Sequence, residues 1–214
     1  MKKLLIILSF LFSTSLVSYS QLWSHYVDSA KTYSDLGNID KATEFYARAK
    51  QELEKDSSQS NTYANICKWQ ADLYNELNKY DKAEQSYLQS RRIIEKIYGK
   101  ENNEYAASCT DLGHLYRTIN KNAEAQELFF KAKNIHEKIA GKESLDYALS
   151  CNDVADIYYD LGQYDKAEPL YIEAKNTRRK VSGELSRDYA SSCNFLGRLY
   201  VAMAKYKNSE SFIQ

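Results

Sequence analysis

The chain has 214 residues, with 29 basic and 29 acidic side chains and a formal charge of zero, so its composition gives no electrostatic footprint for nucleic acid. One proline and seven glycines argue against long ordered loops, and 43% hydrophobic residues serve one or two domains or several short repeats. Tyrosine occurs 19 times, and its apolar body with a polar tip suits half-buried positions on thin structures.

The first twenty residues stand apart. Lys2 and Lys3 precede an apolar run from Leu4 to Phe12, and Ser18 and Ser20 occupy the −3 and −1 places of a cut before Gln21. This is the layout of a secretory signal peptide over residues 1–20. The apolar run is too short for a bilayer span, which needs about 20 residues. Export, to the periplasm or outside a bacterial cell, is the expectation. Removing Lys2 and Lys3 leaves 27 basic against 29 acidic residues, and no later stretch is apolar enough to cross a membrane.

From residue 22 onward the sequence repeats. Cys67, Cys109, Cys151 and Cys193 are each 42 residues apart, as are Tyr63, Tyr105, Tyr147 and Tyr189, and Tyr74, Tyr116, Tyr158 and Tyr200. A fixed period of this size means stacked units rather than one globular core. Each unit reads as two amphipathic helices. In the third, the first helix is predicted from about Glu104 to Ile119, with Tyr105, Ala106, Cys109, Leu112, Gly113, Leu115 and Tyr116 forming its apolar stripe. Gly37, Asn78, Asn120 and Gly162 follow the first helices as left-handed caps, and Ala204 departs from that pattern. The second helices are predicted to start at Asp81 and Asp165 in a capping box with Glu84 and Glu168. Pro169 falls within or just past the first turn, where a missing N–H costs least. Lys96, Lys138 and Lys180 suit the negative ends of the second helices, and Gly99, Gly141 and Gly183 then break the chain.

A set of sizes recurs. Small residues stand at Ala30, Ala71, Gly113, Ala155 and Gly197, at Ala42, Ala83, Ala125 and Ala167, and at Ala49, Ser90, Ala132 and Ala174. Aromatics alternate with them at Tyr33, Tyr74, Tyr116, Tyr158 and Tyr200, then Tyr46, Tyr87, Phe129 and Tyr171. A ring enters the groove of a neighbouring helix only where the facing residue is small, so the alternation specifies tight antiparallel pairs.

The order Gly113, Tyr116, Ala125, Phe129, Ala132 resembles the tetratricopeptide repeat. The 42-residue interval, with the run from Ala167 to Tyr171, resembles the longer repeats of kinesin light chains and related exported bacterial proteins. The resemblance implies an all-α, right-handed α-solenoid of about four and a half repeats: 22–60, 61–102, 103–144, 145–186 and a partial 187–214. It departs from the family where cysteines replace the frequent first-helix tryptophan. Ser29 and Gln70 also replace an aliphatic residue, which predicts looser packing in the first two units.

Chemistry is scarce. His25, His114 and His136 share no spacing, and no Cys-x-x-Cys, His-Glu-x-x-His, nucleophile elbow or phosphate-binding glycine loop occurs. Neither an enzyme nor a cofactor or metal site is expected. Equivalent cysteines on packed helices would lie about 8–10 Å apart, beyond the roughly 7 Å Cα limit of a disulfide. Cys67, Cys109, Cys151 and Cys193 are therefore expected as buried free thiols.

The resemblance implies a concave wall built from first-helix residues. Carried over by position, it comprises Lys68, Asp72 and Asn75, then Thr110, His114 and Arg117, then Asn152, Asp156 and Tyr159, and finally Asn194 and Arg198. Some members of the family grip a terminal carboxylate with lysine and asparagine; here Asp72 stands where that asparagine would be. The expected partner is a protein or peptide bound by a non-catalytic scaffold. The absence of a polar cap at Gln214 leaves two further readings: self-association through that end, or a longer protein whose recruiting or sensing arm this is, joined to a caspase-like peptidase or a sensor kinase.

Overall fold

In the computed structural model the described residues are 22–54 and 60–210, with side chains described to 204. The signal segment lies outside them. They form nine helices and no strand: α1 (Leu22–Asp35), α2 (Ile39–Glu54), α3 (Asn61–Glu76), α4 (Tyr80–Tyr98), α5 (Asn103–Thr118), α6 (Asn122–Ala140), α7 (Leu145–Asp160), α8 (Tyr164–Ser182) and α9 (Arg187–Glu210). The chain divides into two compact units, one ending at Ile97 and the other beginning at Tyr98.

The first helices α3, α5, α7 and α9 each start at a polar cap that the sequence repeats. Ser60, Asn102, Ser144 and Ser186 each place a side-chain oxygen on the N–H three residues on, that of Tyr63, Tyr105, Tyr147 or Tyr189, at 3.2, 2.8, 3.2 and 3.2 Å. An oxygen there satisfies one of the free donors of the first turn. Tyr63, Tyr105 and Tyr147 then turn inward and are almost wholly buried, while Tyr189 is part-exposed. The Tyr147 hydroxyl reaches Glu173 on α8 at 2.9 Å, and that of Tyr63 reaches Glu54 on α2 at 2.6 Å.

The turns between paired helices are built as the sequence suggests. Gly37, Asn78, Asn120 and Gly162 all adopt positive φ, between 55° and 71°. The residue after each one donates back to the carbonyl of Tyr33, Tyr74, Tyr116 or Tyr158 at 2.8 Å. This six-to-one bond is a Schellman ending. It carries the chain straight into the second helix, which corrects the predicted capping boxes. The second helices begin at Tyr80 and Tyr164, so Asp81 and Asp165 lie inside the first turn. The residue before α8 is Gln163, which makes no side-chain cap bond. The aspartates act on the helix dipole instead.

The interior follows the alternation of sizes. In the first unit Ala30, Ala42, Ala49, Ala64, Ala71 and Ala83 are fully buried, with Tyr46 and Tyr87 nearly so. Gln70 is also buried there, but its amide donates to the Thr43 carbonyl at 3.2 Å and accepts from Lys50 at 3.3 Å. In the second unit Phe129 lies so close to α5 that a Cβ at Gly113 would meet its Cε1 at 2.7 Å. Ala155, Ala167 and Tyr171 form the matching cluster one repeat on, with Leu196 and Leu199 of α9 packed into it. Two polar links join second helices to the following first helix: His136 to Ser150, and Arg178 to Ser192, both at 2.8 Å.

The last helix departs from expectation. No turn forms at Ala204, and α9 continues to Glu210. The other four units place glycine or asparagine at this position in positive φ, where an alanine Cβ is strained. With nothing to end it, the helix continues. Cys67, Cys109 and Cys151 are buried thiols, but Cys193 is exposed, which corrects the reading of all four as buried. Among the described residues no second helix covers the Cys193 face of α9 as α4, α6 and α8 cover the faces of theirs.

Two glycines at one repeat position should answer the same substitution oppositely. Alanine is favoured over glycine inside a helix by about 0.8–1.0 kcal/mol, but overpacking costs about 1–3 kcal/mol. Gly113→Ala, which strikes Phe129, should lower the denaturation midpoint. Gly197→Ala, with no atom within 4 Å of the new Cβ, should raise it or leave it unchanged.

Candidate functional site

First-helix side chains set between the packing positions make a polar face in each unit. In the first unit, on α3, Lys68 pairs with Asp72 at 3.5 Å, and Asp72 also accepts the Tyr87 hydroxyl of α4. Asn75, one turn on, has a buried side-chain oxygen without a partner. This face of the first unit therefore carries one closed charge pair and one buried acceptor without a partner.

The second unit carries a denser network across α5, α7 and α9. Arg117 of α5 donates from Nη1 to Asp156 at 3.0 Å and from Nε to Asp160 at 2.5 Å, both on α7. Asp156 also accepts the Tyr171 hydroxyl and Arg198 Nη2, the latter at 3.2 Å from α9. The Arg198 guanidinium lies over the Tyr159 ring, 4.9 Å from its centroid. Cation–π contact of this kind adds to the ion pairing. His114, half exposed, stands edge-on to Phe129 with ring centroids 5.0 Å apart. Its Nε2 is 3.6 Å from Asp153 Oδ1.

Aromatic and polar residues are matched within three of the helix pairs. Tyr87 meets Asp72, and Tyr171 meets Asp156, each fifteen residues earlier. Where the aromatic is Phe129, which has no hydroxyl to donate, the residue fifteen earlier is His114 and the contact is between rings. Tyr46, the equivalent aromatic of the first repeat, has Lys31 fifteen residues earlier and does not share this match.

The structure brings His114, Arg117, Asp156, Tyr159 and Arg198 into one neighbourhood. Thr110 is part-exposed and Asn194 exposed on the same helices. Asn152 differs: it is buried, and with its amide oxygen toward Arg178 it accepts from both terminal nitrogens at 2.6 and 3.0 Å. It anchors α8 and is not available to a ligand. Lys68, Asp72 and Asn75 belong to the first unit and form their own group.

The residue that sequence reasoning missed is Asp153. It is 6% exposed, and its Oδ2 has no hydrogen-bond partner. Burial, reinforced by the Asp156 carboxylate, pushes its carboxyl up to about 7 against the partial relief of Arg117 and Arg178. Cys67 and Cys151 are likewise pushed up to about 11 chiefly by burial, so both remain protonated thiols near neutrality. An open cleft of about 750 Å³ along α6, lined by Glu127, Phe130, Lys131 and Tyr158 among others, shares no residue with the Asp153 neighbourhood.

Asp153 should cost stability in a pH-dependent way. Its folded pKa lies above the unfolded value, so the native state holds a proton that the unfolded chain releases as pH rises from about 4 to about 7. Stability contributed by the neutral form is therefore lost across that window. Asp153→Asn should raise the melting temperature clearly near pH 8 and leave it almost unchanged near pH 4. Equal effects at both would show that the carboxylate is not desolvated.

Comparison with known proteins places this geometry. The tetratricopeptide repeat model matches residues 63–138 and 145–214, and a second tetratricopeptide repeat model matches residues 26–51. No curated protein matches the sequence. Among solved structures, BtubC (BKLC) from P. vanneervenii is similar with a TM-score of 0.76 at 20% identity, over 95% of this chain and 81% of that one. A Podosopora anserina protein assigned to the kinesin light chains, with nearly identical TPR-like repeats, gives a TM-score of 0.73 at 21% identity, over 91% of this chain and 92% of that one. Rap protein complexed with Competence and Sporulation Factor gives 0.66 at 15% identity, over 89% of this chain and 51% of that one. At these identities the structural likenesses speak for the fold, and the sequence models for the kinship. With its all-α helix pairs and with most of its length matched, the chain belongs to the tetratricopeptide repeat family.

Proposed function

We propose that this protein is an exported, non-catalytic scaffold that binds a polypeptide on its concave, first-helix face. The supporting observation is the outward network of Arg117, Asp156, Tyr159 and Arg198, set on helices whose other faces are used in packing. Buried arrays of side chains hold those helices rigidly, and rigid elements make good platforms for recognition. Tetratricopeptide proteins are generally interaction scaffolds, and the solved complex of Rap protein with Competence and Sporulation Factor is one related example. Fold kinship alone is a weak warrant for a role, so the reading rests on the face and its exposed polar groups.

The N-terminal pattern of Lys2, Lys3, the apolar run and Ser18-x-Ser20 supports export. No described helix is long and apolar enough to cross a membrane. When the full chain is expressed in a bacterium, the recovered protein should begin at Gln21 and fractionate outside the cytoplasm. A cytoplasmic protein retaining Met1 would remove the export part of the reading.

For binding, a displayed library of random linear peptides should yield ligands for the purified chain. Asp156→Lys should weaken them about tenfold or more, since one partner of a hydrogen-bonded charge network is reversed. Lys131→Glu, an exposed change on α6, should leave them unaffected. Failure to select any peptide, or equal loss from both variants, would count against a ligand on this face.

A further inference from the structure

The notch at Gly197 is built like those that hold a ring in the two preceding repeats. Gly113, Ala155 and Gly197 stand 42 residues apart. Gly113 takes the ring of Phe129, whose Cε1 would lie 2.7 Å from a Cβ there, and Ala155 shares its cluster with Tyr171. At Gly197 no described atom lies within 4 Å of the same point. An open cavity of about 420 Å³ stands there, lined by Tyr159, Gly197, Arg198, Val201 and Ala202. The neighbouring position repeats as well. After Gly113, His114 stands edge-on to Phe129, and after Ala155, Asp156 accepts the Tyr171 hydroxyl. After Gly197 comes Arg198, whose guanidinium is held by Asp156 and already lies over the Tyr159 ring.

The other repeats show what fits a notch of this shape. The ring comes from an antiparallel second helix, with a small residue four places before it and another three places after. These are Ala125, Phe129 and Ala132 on α6, and Ala167, Tyr171 and Ala174 on α8. The second small residue meets the cysteine of the first helix, as Ala174 clusters with Cys151. On α9 the corresponding Cys193 is exposed, as is Val201, and the helix runs straight on to Glu210. Exposed apolar surface around a preformed cavity marks a docking site. We infer that this face of α9 docks a helix of a partner polypeptide, with the order Ala-x-x-x-Phe-x-x-Ala or its tyrosine counterpart, and that the ring enters the Gly197 cavity. There it packs on Gly197 and Val201, and the Arg198 guanidinium adds a cation–π contact. The small residue that follows covers Cys193. An amphipathic helix seated by one anchoring ring is a recurring mode of peptide recognition. The surface adjoins the polar face at Arg198 and does not depend on a ligand there.

The probe is a synthetic peptide of the α6 sequence, Asn122–Ala140, because α6 supplies the ring for the glycine notch of α5. Its exposed Glu127 and Lys131 are joined as a lactam, which holds it helical on the side away from Phe129. Two readings are taken on the purified chain: anisotropy of the labelled peptide, and alkylation of Cys193 by iodoacetamide. Cys67, Cys109 and Cys151 are buried and serve as internal references. Saturating peptide should slow alkylation of Cys193 about tenfold. The peptide carrying Phe129→Ala should bind about thirtyfold more weakly, as an anchoring ring at a hot spot requires. In the chain, Gly197→Leu fills the cavity and should abolish binding. It enters open space on a helix, so its melting temperature should be unchanged or higher. Lys131→Glu in the chain should bind normally. No binding, or binding indifferent to the ring or to Gly197→Leu, would overturn the inference. Phenol displacing the peptide at equal concentration would reassign the cavity to small aromatic molecules and overturn the polypeptide partner. Cys193 protected before any peptide is added would also overturn it. Protection lost on dilution would then assign the face to a second copy, and protection that persists would assign it to the chain itself. Each of these results leaves the reading of the concave face standing.

Discussion

The structure depends on the fit of a ring into a notch. Phe129 lies against α5 at a place where only glycine leaves room, and Tyr171 shares its cluster with Ala155 at the equivalent place one repeat later. Close approach of this kind fixes the distance and rotation of each helix pair, because side chains packed at crystal-like density have few alternative arrangements. Rotation in turn decides which residues face outward. The fifteen-residue match of Tyr87 with Asp72, Phe129 with His114 and Tyr171 with Asp156 shows the consequence. At Tyr87 and Tyr171 the hydroxyl of the inward ring meets an aspartate, and at Phe129 the ring without one meets a histidine; Tyr46, with Lys31 fifteen residues earlier, lies outside this match.

This coupling links stability to function. The face is not an independent patch added to a scaffold, since its central acceptor, Asp156, is held by a packing tyrosine on one side and two arginines on the other. Asp153 sits at the margin of the same network with its Oδ2 unbonded. The polar links at the helix ends, His136 with Ser150 and Arg178 with Ser192, are hydrogen-bonded by contrast.

Much of this was legible in the residues. Period, helix number per unit, the left-handed turn positions and the inward rings all follow from spacing and size. The caps Ser60, Asn102, Ser144 and Ser186 stand three places before each repeated tyrosine, a spacing as regular as that of the cysteines. The acidic starts expected for the second helices failed because a Schellman turn hands the chain directly from one helix to the next. Asn152 and Asp153 could not be sorted from sequence. They are neighbours on one helix, and which polar residue is anchored and which is left open depends on where Arg178 and Arg117 end, a matter of tertiary placement. Cys193 departs from the other three because the period implies a covering helix that α9, running on through Ala204, does not meet among the described residues.

The ring-in-notch constraint can be measured directly with a double-mutant cycle in urea on Ala155 and Tyr171. Ala155→Leu alone should destabilise by about 1–3 kcal/mol through overpacking. Combined with Tyr171→Ala, which empties the space, it should cost much less, giving a coupling above about 1 kcal/mol. Additivity within about 0.5 kcal/mol would mean that the ring and the small residue do not define each other's position, and that the helix pairs are set by something else.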